Sequence, residues 1–293
     1  MTEFRCSNHC HNLAEGIIWD HHVELLLFVD ILSMKLFRMH PNSFEIVDEY
    51  SFDEYVCWVQ LTNNDNLYLL GMQSGLAIFN IHTSEIKYIN KEIPQEPSQR
   101  LNDSFVDFRG RVWFGSMEYK SADIFSGVLA SYSSKDRKII IQDDAYGITN
   151  GPIINHRDTH LFHTDSLKGV VYKFSLHSQG TELTDKTVFL KFDPKFGVPD
   201  GMCFDKEGNI YVAIWGGWCI NKYNSMGELM HSYKLPDKFV TNISFAGNNL
   251  DKIFVTTAIQ GDDDSTQSQL KSGYIYEILN HNCQGVLMNE YLI

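Results

Sequence analysis

The 293-residue chain holds no uninterrupted apolar run near the roughly 18 residues of a membrane-spanning helix, so no span is expected. Its opening residues, Met1-Thr2-Glu3-Phe4-Arg5-Cys6, contain no apolar signal core, and no leader is expected there. Cysteine is sparse. Six residues, Cys6, Cys10, Cys57, Cys203, Cys219 and Cys283, are too few for a disulfide scaffold at this length. A reduced, cytoplasmic protein is the expectation. Cys6 and Cys10 lie among His9 and His11, but no second Cys/His cluster completes a four-ligand soft site. A frayed N-terminal arm with free thiols is expected there. Positive charge is also scarce: 24 Lys and Arg stand against 37 Asp and Glu, a formal net charge of −13. An acidic surface repels phosphate backbones and argues against nucleic-acid binding. No helical stripe at i, i+3, i+4, i+7 is sustained anywhere, and there is no Gly-x-Ser-x-Gly elbow, P-loop or dinucleotide fingerprint.

What is present is a repeat. A short apolar strand recurs as Leu26-Leu27-Phe28, Leu67-Tyr68-Leu69, Val112-Trp113-Phe114, Leu161-Phe162-His163, Ile210-Tyr211-Val212 and Ile253-Phe254-Val255. The starts are 41, 45, 49, 49 and 43 residues apart. Turn residues precede several copies, as in Asn64-Asp65-Asn66 and Lys206-Glu207-Gly208-Asn209, and a further apolar strand follows each. Six periods in the forties fit four-stranded blades. The expectation is an all-β, six-bladed β-propeller occupying residues 1–293 as a single domain, without the WD dipeptide of the WD-repeat kind. Two packed sheets would not give six near-equal periods. The apolar segment Gly285-Val286-Leu287-Met288 is expected to form a strand in the sheet that the N-terminal residues share, removing an exposed edge.

About ten residues before each repeat start lies a polar residue, often followed by Gly, leading an apolar strand. In a propeller the innermost strands face the central channel, so equivalent positions converge on one axis. Glu15, Asn102, Asn150, Asp200 and Asn242 occupy such positions, and Val56-Cys57-Trp58 is a weaker copy. Asn-Gly and Asp-Gly are ordinary turn signals, but Glu15 is not a preferred turn residue. Two carboxylates facing one channel are costly unless a cation sits between them or one is protonated. With no His or Cys in the ring, the donors are hard oxygens. These favour calcium, magnesium or manganese over structural zinc. Asp262-Asp263-Asp264 reads as a solvated loop.

At these residues the sequence resembles the family of senescence marker protein (regucalcin), gluconolactonase and luciferin-regenerating enzyme. The most specific stretch is Arg100-Leu101-Asn102-Asp103, continuing through Asp107, Gly110-Arg111-Val112-Trp113 and Gly115-Ser116-Met117. Ala14-Glu15-Gly16, Thr149-Asn150-Gly151, Pro199-Asp200-Gly201 and Trp215-Gly216-Gly217 are similar to further family motifs in the right order. Ile17, Pro152 and Ser116 depart from the usual pattern and leave the ligand positions intact. The resemblance implies a metal-dependent lactonase, with a small sugar lactone as substrate. It implies one divalent ion (Ca2+, Mg2+, Mn2+, Zn2+ or Fe2+) held by Glu15, Asn150 and Asp200. Asp200 would also be the catalytic base, with metal-bound hydroxide as the alternative nucleophile. Arg100 and Asn102 would contact substrate, and Glu118 is a third substrate contact after Met117. Trp58, Tyr119, Tyr146 and Trp218 could line the mouth for a sugar face. A non-enzymatic calcium-binding propeller, or a hydrolase of non-sugar lactones or phosphotriesters, is the alternative.

Overall fold

The computed structural model describes residues 2–121, 124–177, 182–259 and 272–293; the Asp262–Asp264 run falls outside them. The described residues form six four-stranded antiparallel sheets, which is the six-bladed β-propeller. The innermost strands are Ala14–Asp20, Val56–Leu61, Gln99–Val106, Thr149–Ile154, Val198–Phe204 and Val240–Ala246, in blades one to six. Among the described residues the one helical segment is a 3₁₀ turn at Pro194–Phe196.

Burial follows position in the blade. Ala14–Asp20 and Val240–Ala246 are buried along their whole length, because both faces meet neighbouring blades. The outer strand Ile46–Ser51 instead alternates half-buried and exposed residues, since one face meets water. The Asp or Asn that ends several innermost strands ties down the next turn. Asp107 Oδ1 accepts from the backbone N–H of Arg109 and Arg111 at 2.9 and 3.0 Å, and its Oδ2 accepts from Trp113 Nε1. Asp205 and Asn155 do the same for Glu207 and Asn209, and for Thr159 and His160.

The ring closes differently from the expectation at both chain ends. Glu3–Cys6 is a formed strand, not a frayed arm. It pairs antiparallel with Tyr276–Leu279 as the outermost strand of blade six. Arg5 pairs with Glu277, and Phe4 packs edge-on against Tyr276. His11 is buried against Phe28 and Phe37, and burial pulls its imidazole down to about 4. All six cysteines are free thiols.

With that edge taken, Gly285–Met288 does not form the expected strand. Gly285 makes a single bridge to Asp205, and Tyr291 makes one to Thr62. The tail thus runs beneath the channel from blade five to blade two. Asn289 Nδ2 donates to Val106 O at 3.0 Å, and Leu292 N–H donates to Gly110 O at 3.2 Å. A cavity of about 300 Å³ lies between this tail and the inner strands, lined by Ile17, Phe105, Ile153, Met202 and Phe245.

Candidate functional site

Every innermost strand breaks register at its ring position. The ladder shifts between Glu15 and Ile18, Val56 and Trp58, Leu101 and Ser104, Asn150 and Ile153, Pro199 and Met202, and Val240 and Asn242. A bulge re-aims side chains that strict alternation would send elsewhere. Gly16 and Gly151 follow their ring residues at φ +55° and +45°, a conformation that resists a side chain. At Gly201 the reason is space. A Cβ there would lie 2.5 Å from Asn242 Cγ, so glycine lets the neighbouring blades five and six approach closely beside the channel.

Glu15, Arg100, Asn102, Asn150 and Asp200 are all buried; hydrogen bonds join Arg100, Asn102 and Asn150, and Asp200 feels the charges of Glu15 and Arg100. Glu15 Oε2 accepts from Gly16 N–H at 3.1 Å and from Asn242 Nδ2 at 3.3 Å. Arg100 donates to Asn102 Oδ1; Asn102 Nδ2 donates to Thr149 O and to Asn150 Oδ1 at 2.7 Å; Asn150 Nδ2 donates to Ser166 Oγ at 2.9 Å. Both ends of the Asn102 amide are therefore engaged inside the ring. Asp200 Oδ1 is buried with no hydrogen-bond partner.

Asp103 is a third carboxylate in the channel that the repeat pattern did not single out. Its Oδ1 accepts from Ser104 N–H and its Oδ2 from Gly151 N–H, both at 2.7 Å. It follows Asn102 directly, so simple alternation would place only one of the two toward the axis. The bulge between Leu101 and Ser104 brings in both. The Arg-Leu-Asn-Asp run was the available signal.

The three carboxyl groups are held toward their neutral forms. Burial raises Glu15 to about 8, and the nearby Asp103 adds to it. Burial lifts Asp103 to about 6. Asp200 is pushed well above the ordinary carboxylate range by burial, then by Glu15 and Asp103. The Arg100 guanidinium opposes the shift at Glu15 and Asp200. Uncompensated negative charge in a buried ring is what a cation relieves. The oxygens of Glu15, Asp103 and Asp200 do not all fall within 4.8 Å of one another. The donor chemistry, carboxyl oxygens with amide oxygens beside them, is of the hard kind that suits a cation such as calcium or magnesium.

Glu118 ends the strand Val112–Glu118, opposite Gln99 in register. Its carboxylate accepts from the Ser98 hydroxyl at 2.6 Å and from the Lys120 N–H at 3.0 Å. The four aromatics divide. Trp58 and Tyr146 are fully buried, Trp58 beneath Gly71 and Tyr146 hydrogen-bonded to Asp143. Tyr119 is half-buried beside Tyr55 and accepts from Gln73 Nε2, while Trp218 is exposed.

Comparison with known proteins matches residues 13–259 to the family model described as the SMP-30/Gluconolactonase/LRE-like region. Regucalcin of Xenopus laevis is 27% identical over 284 residues, 94% of this chain and 93% of its own. Pentonolactonase XacC of Haloferax volcanii is 26% identical over 269 residues, 92% of this chain and 89% of its own. A solved structure of luciferin-regenerating enzyme superposes with a TM-score of 0.93 over all of both chains, at 24% identity. Among the described residues, no helix is long and apolar enough to cross a membrane.

Proposed function

The chain belongs to the SMP-30/gluconolactonase/LRE-like family, and from that membership we propose that it is a metal-dependent hydrolase opening a sugar lactone to its aldonic acid. The observation that carries the reading is the unpartnered, buried Asp200 Oδ1 in a ring whose carboxylates repel one another. Glu15, Asn150 and Asp200 would hold one divalent cation, and their hard oxygens suit Ca2+, Mg2+ or Mn2+. When bound, that cation supplies Lewis acidity to the lactone carbonyl.

The remaining chemistry belongs to the chain. Asp200 accepts a proton from the attacking water. Arg100 offers the N–H groups not given to Leu101 and Asn102 to a ring oxygen or hydroxyl of the sugar. Asn102, engaged at both ends, sets the positions of Arg100 and Asn150 and touches substrate only through what they leave free. Glu118, steadied by Ser98 and Lys120, is the outlying substrate contact.

The test is a panel of pentono- and hexonolactones, read by acid release after stripping and reloading metal. Two variants separate the roles. Asp200→Asn keeps an oxygen and removes the base, so turnover should fall by about 10²–10⁴ even at saturating metal. Glu15→Gln should be partly rescued by excess metal. Equal rescue of both would show that Asp200 is only a ligand.

A second reading, a non-enzymatic calcium-binding propeller, is favoured by the all-oxygen donor set and by relatives named regucalcin. Tight calcium binding with no acid release from any lactone in the panel would select it.

A further inference from the structure

Away from the ring, the turn after Ala14–Asp20 places His21 and His22 side by side, with ring centroids 4.0 Å apart and planes tilted by 36°. The Asp20 carboxylate steadies this turn, accepting from His22 N–H at 3.0 Å. Both imidazoles address one oxygen. Glu290 Oε1 lies 3.5 Å from His21 Nε2 and 2.8 Å from His22 Nε2. Glu290 sits on the C-terminal tail, between Asn289, bound to Val106 O, and Tyr291, bound to Leu61 O.

Among the described residues, these three are the one set of His, Cys, Asp or Glu whose ligand atoms all fall within 4.8 Å of one another. With zinc–ligand bonds of about 2.0–2.1 Å, tetrahedral ligands stand about 3.3 Å apart. The separations of 2.8 and 3.5 Å bracket that value. Asp65 Oδ1 stands 3.7 Å behind His22 Nδ1, on the side where an outer carboxylate orients a ligating imidazole. His21 Nδ1 is buried without a partner, so Glu290 is the polar group its ring meets.

We propose that His21, His22 and Glu290 form a second metal site, for a borderline transition-metal ion such as Zn2+, which fastens the C-terminal tail to blade one. Two imidazoles and one carboxylate suit zinc and its neighbours and do not suit calcium. Three protein ligands leave a coordination position to water, and each side chain is 27% exposed, so the ion exchanges with solution. Occupancy steadies the segment that floors the channel cavity.

The experiment uses metal-stripped full-length protein and Zn2+ alone. Zinc bound per chain is measured beside hydrogen exchange over residues 286–293. It is done for wild type, for His21→Gln with His22→Gln, for Glu290→Gln, and for the ring variant Glu15→Gln with Asp200→Asn. Zinc at ten times its dissociation constant should slow exchange of the tail by about tenfold in wild type. The ring variant should keep that protection and one zinc equivalent, and the His double variant should lose both. Glu290→Gln, a change on the half-buried tail, gives the same reading should the double variant fold poorly. Equal zinc uptake and tail protection in wild type and the His or Glu290 variants would overturn the proposal. So would loss of tail protection in the ring variant.

Discussion

Binding of a divalent cation to the central ring should release protons at neutral pH. In the metal-free protein Glu15 titrates near 8 and Asp103 near 6, and Asp200 is raised as well, because burial and mutual repulsion disfavour the charged forms. For groups whose folded values lie above the unfolded ones, the sign is fixed. Their contribution to stability is complete below the unfolded carboxylate range near pH 4 and is lost as pH rises through 6 and then 8. A cation that takes Glu15 as a ligand must displace its proton. At pH 7 a group with a value of about 8 is roughly nine-tenths protonated, and at pH 9 roughly one-tenth. Calorimetric titration of stripped protein in buffers of different ionisation enthalpy should therefore count about one proton released at pH 7, plus any from Asp200. At pH 9 the share that comes from Glu15 should fall several-fold, and Glu15→Gln should remove that share at pH 7. Metal binding at pH 7 with no proton release would refute the account of the ring as a buried, self-repelling set of acids.

Asp103→Asn removes one of the charges that raise Glu15 and Asp200, so fewer protons should leave on metal binding at pH 7; an unchanged count in the same calorimetry would show that Asp103 does not act on them. Gly71→Ala puts a Cβ 2.0 Å from Trp58 Cε2, and overpacking of that kind costs about 1–3 kcal/mol, to be read as a lower denaturant midpoint; an unshifted midpoint contradicts the packing. Deleting residues 286–293 removes buried Tyr291 and the tail's bonds to Leu61, Val106 and Gly110; the melting temperature should drop clearly while the strand content seen by circular dichroism persists.

The six-fold repeat and the ring were legible in the chain because strand, turn and channel-facing residue recur at one period. The repeat alone places Glu15, Asn150 and Asp200 around a common axis, since closing a propeller makes sequence-equivalent positions spatial neighbours. Asp103 was not legible in this way. Its inclusion depends on the bulge between Leu101 and Ser104, and a register shift is set by how two strands pair, not by either strand alone. Trp58 and Tyr146 show the same limit. An aromatic near a ring motif can face the mouth or the core, and only the neighbouring blades put both inside.

What the sequence by itself determined was the architecture and which polar residues stand at equivalent ring positions, because alternation, turn residues and the order of polar positions are local properties repeated six times. Tertiary structure alone decided how the circle closes and what lies beneath it. Glu3–Cys6 and Tyr276–Leu279 lie at opposite ends of the chain, and Glu290 meets His21 and His22 across more than 260 residues. Such contacts carry no period. Glu3–Cys6 takes the outer edge of blade six, and the apolar tail, left without an edge to pair, runs across the floor of the channel.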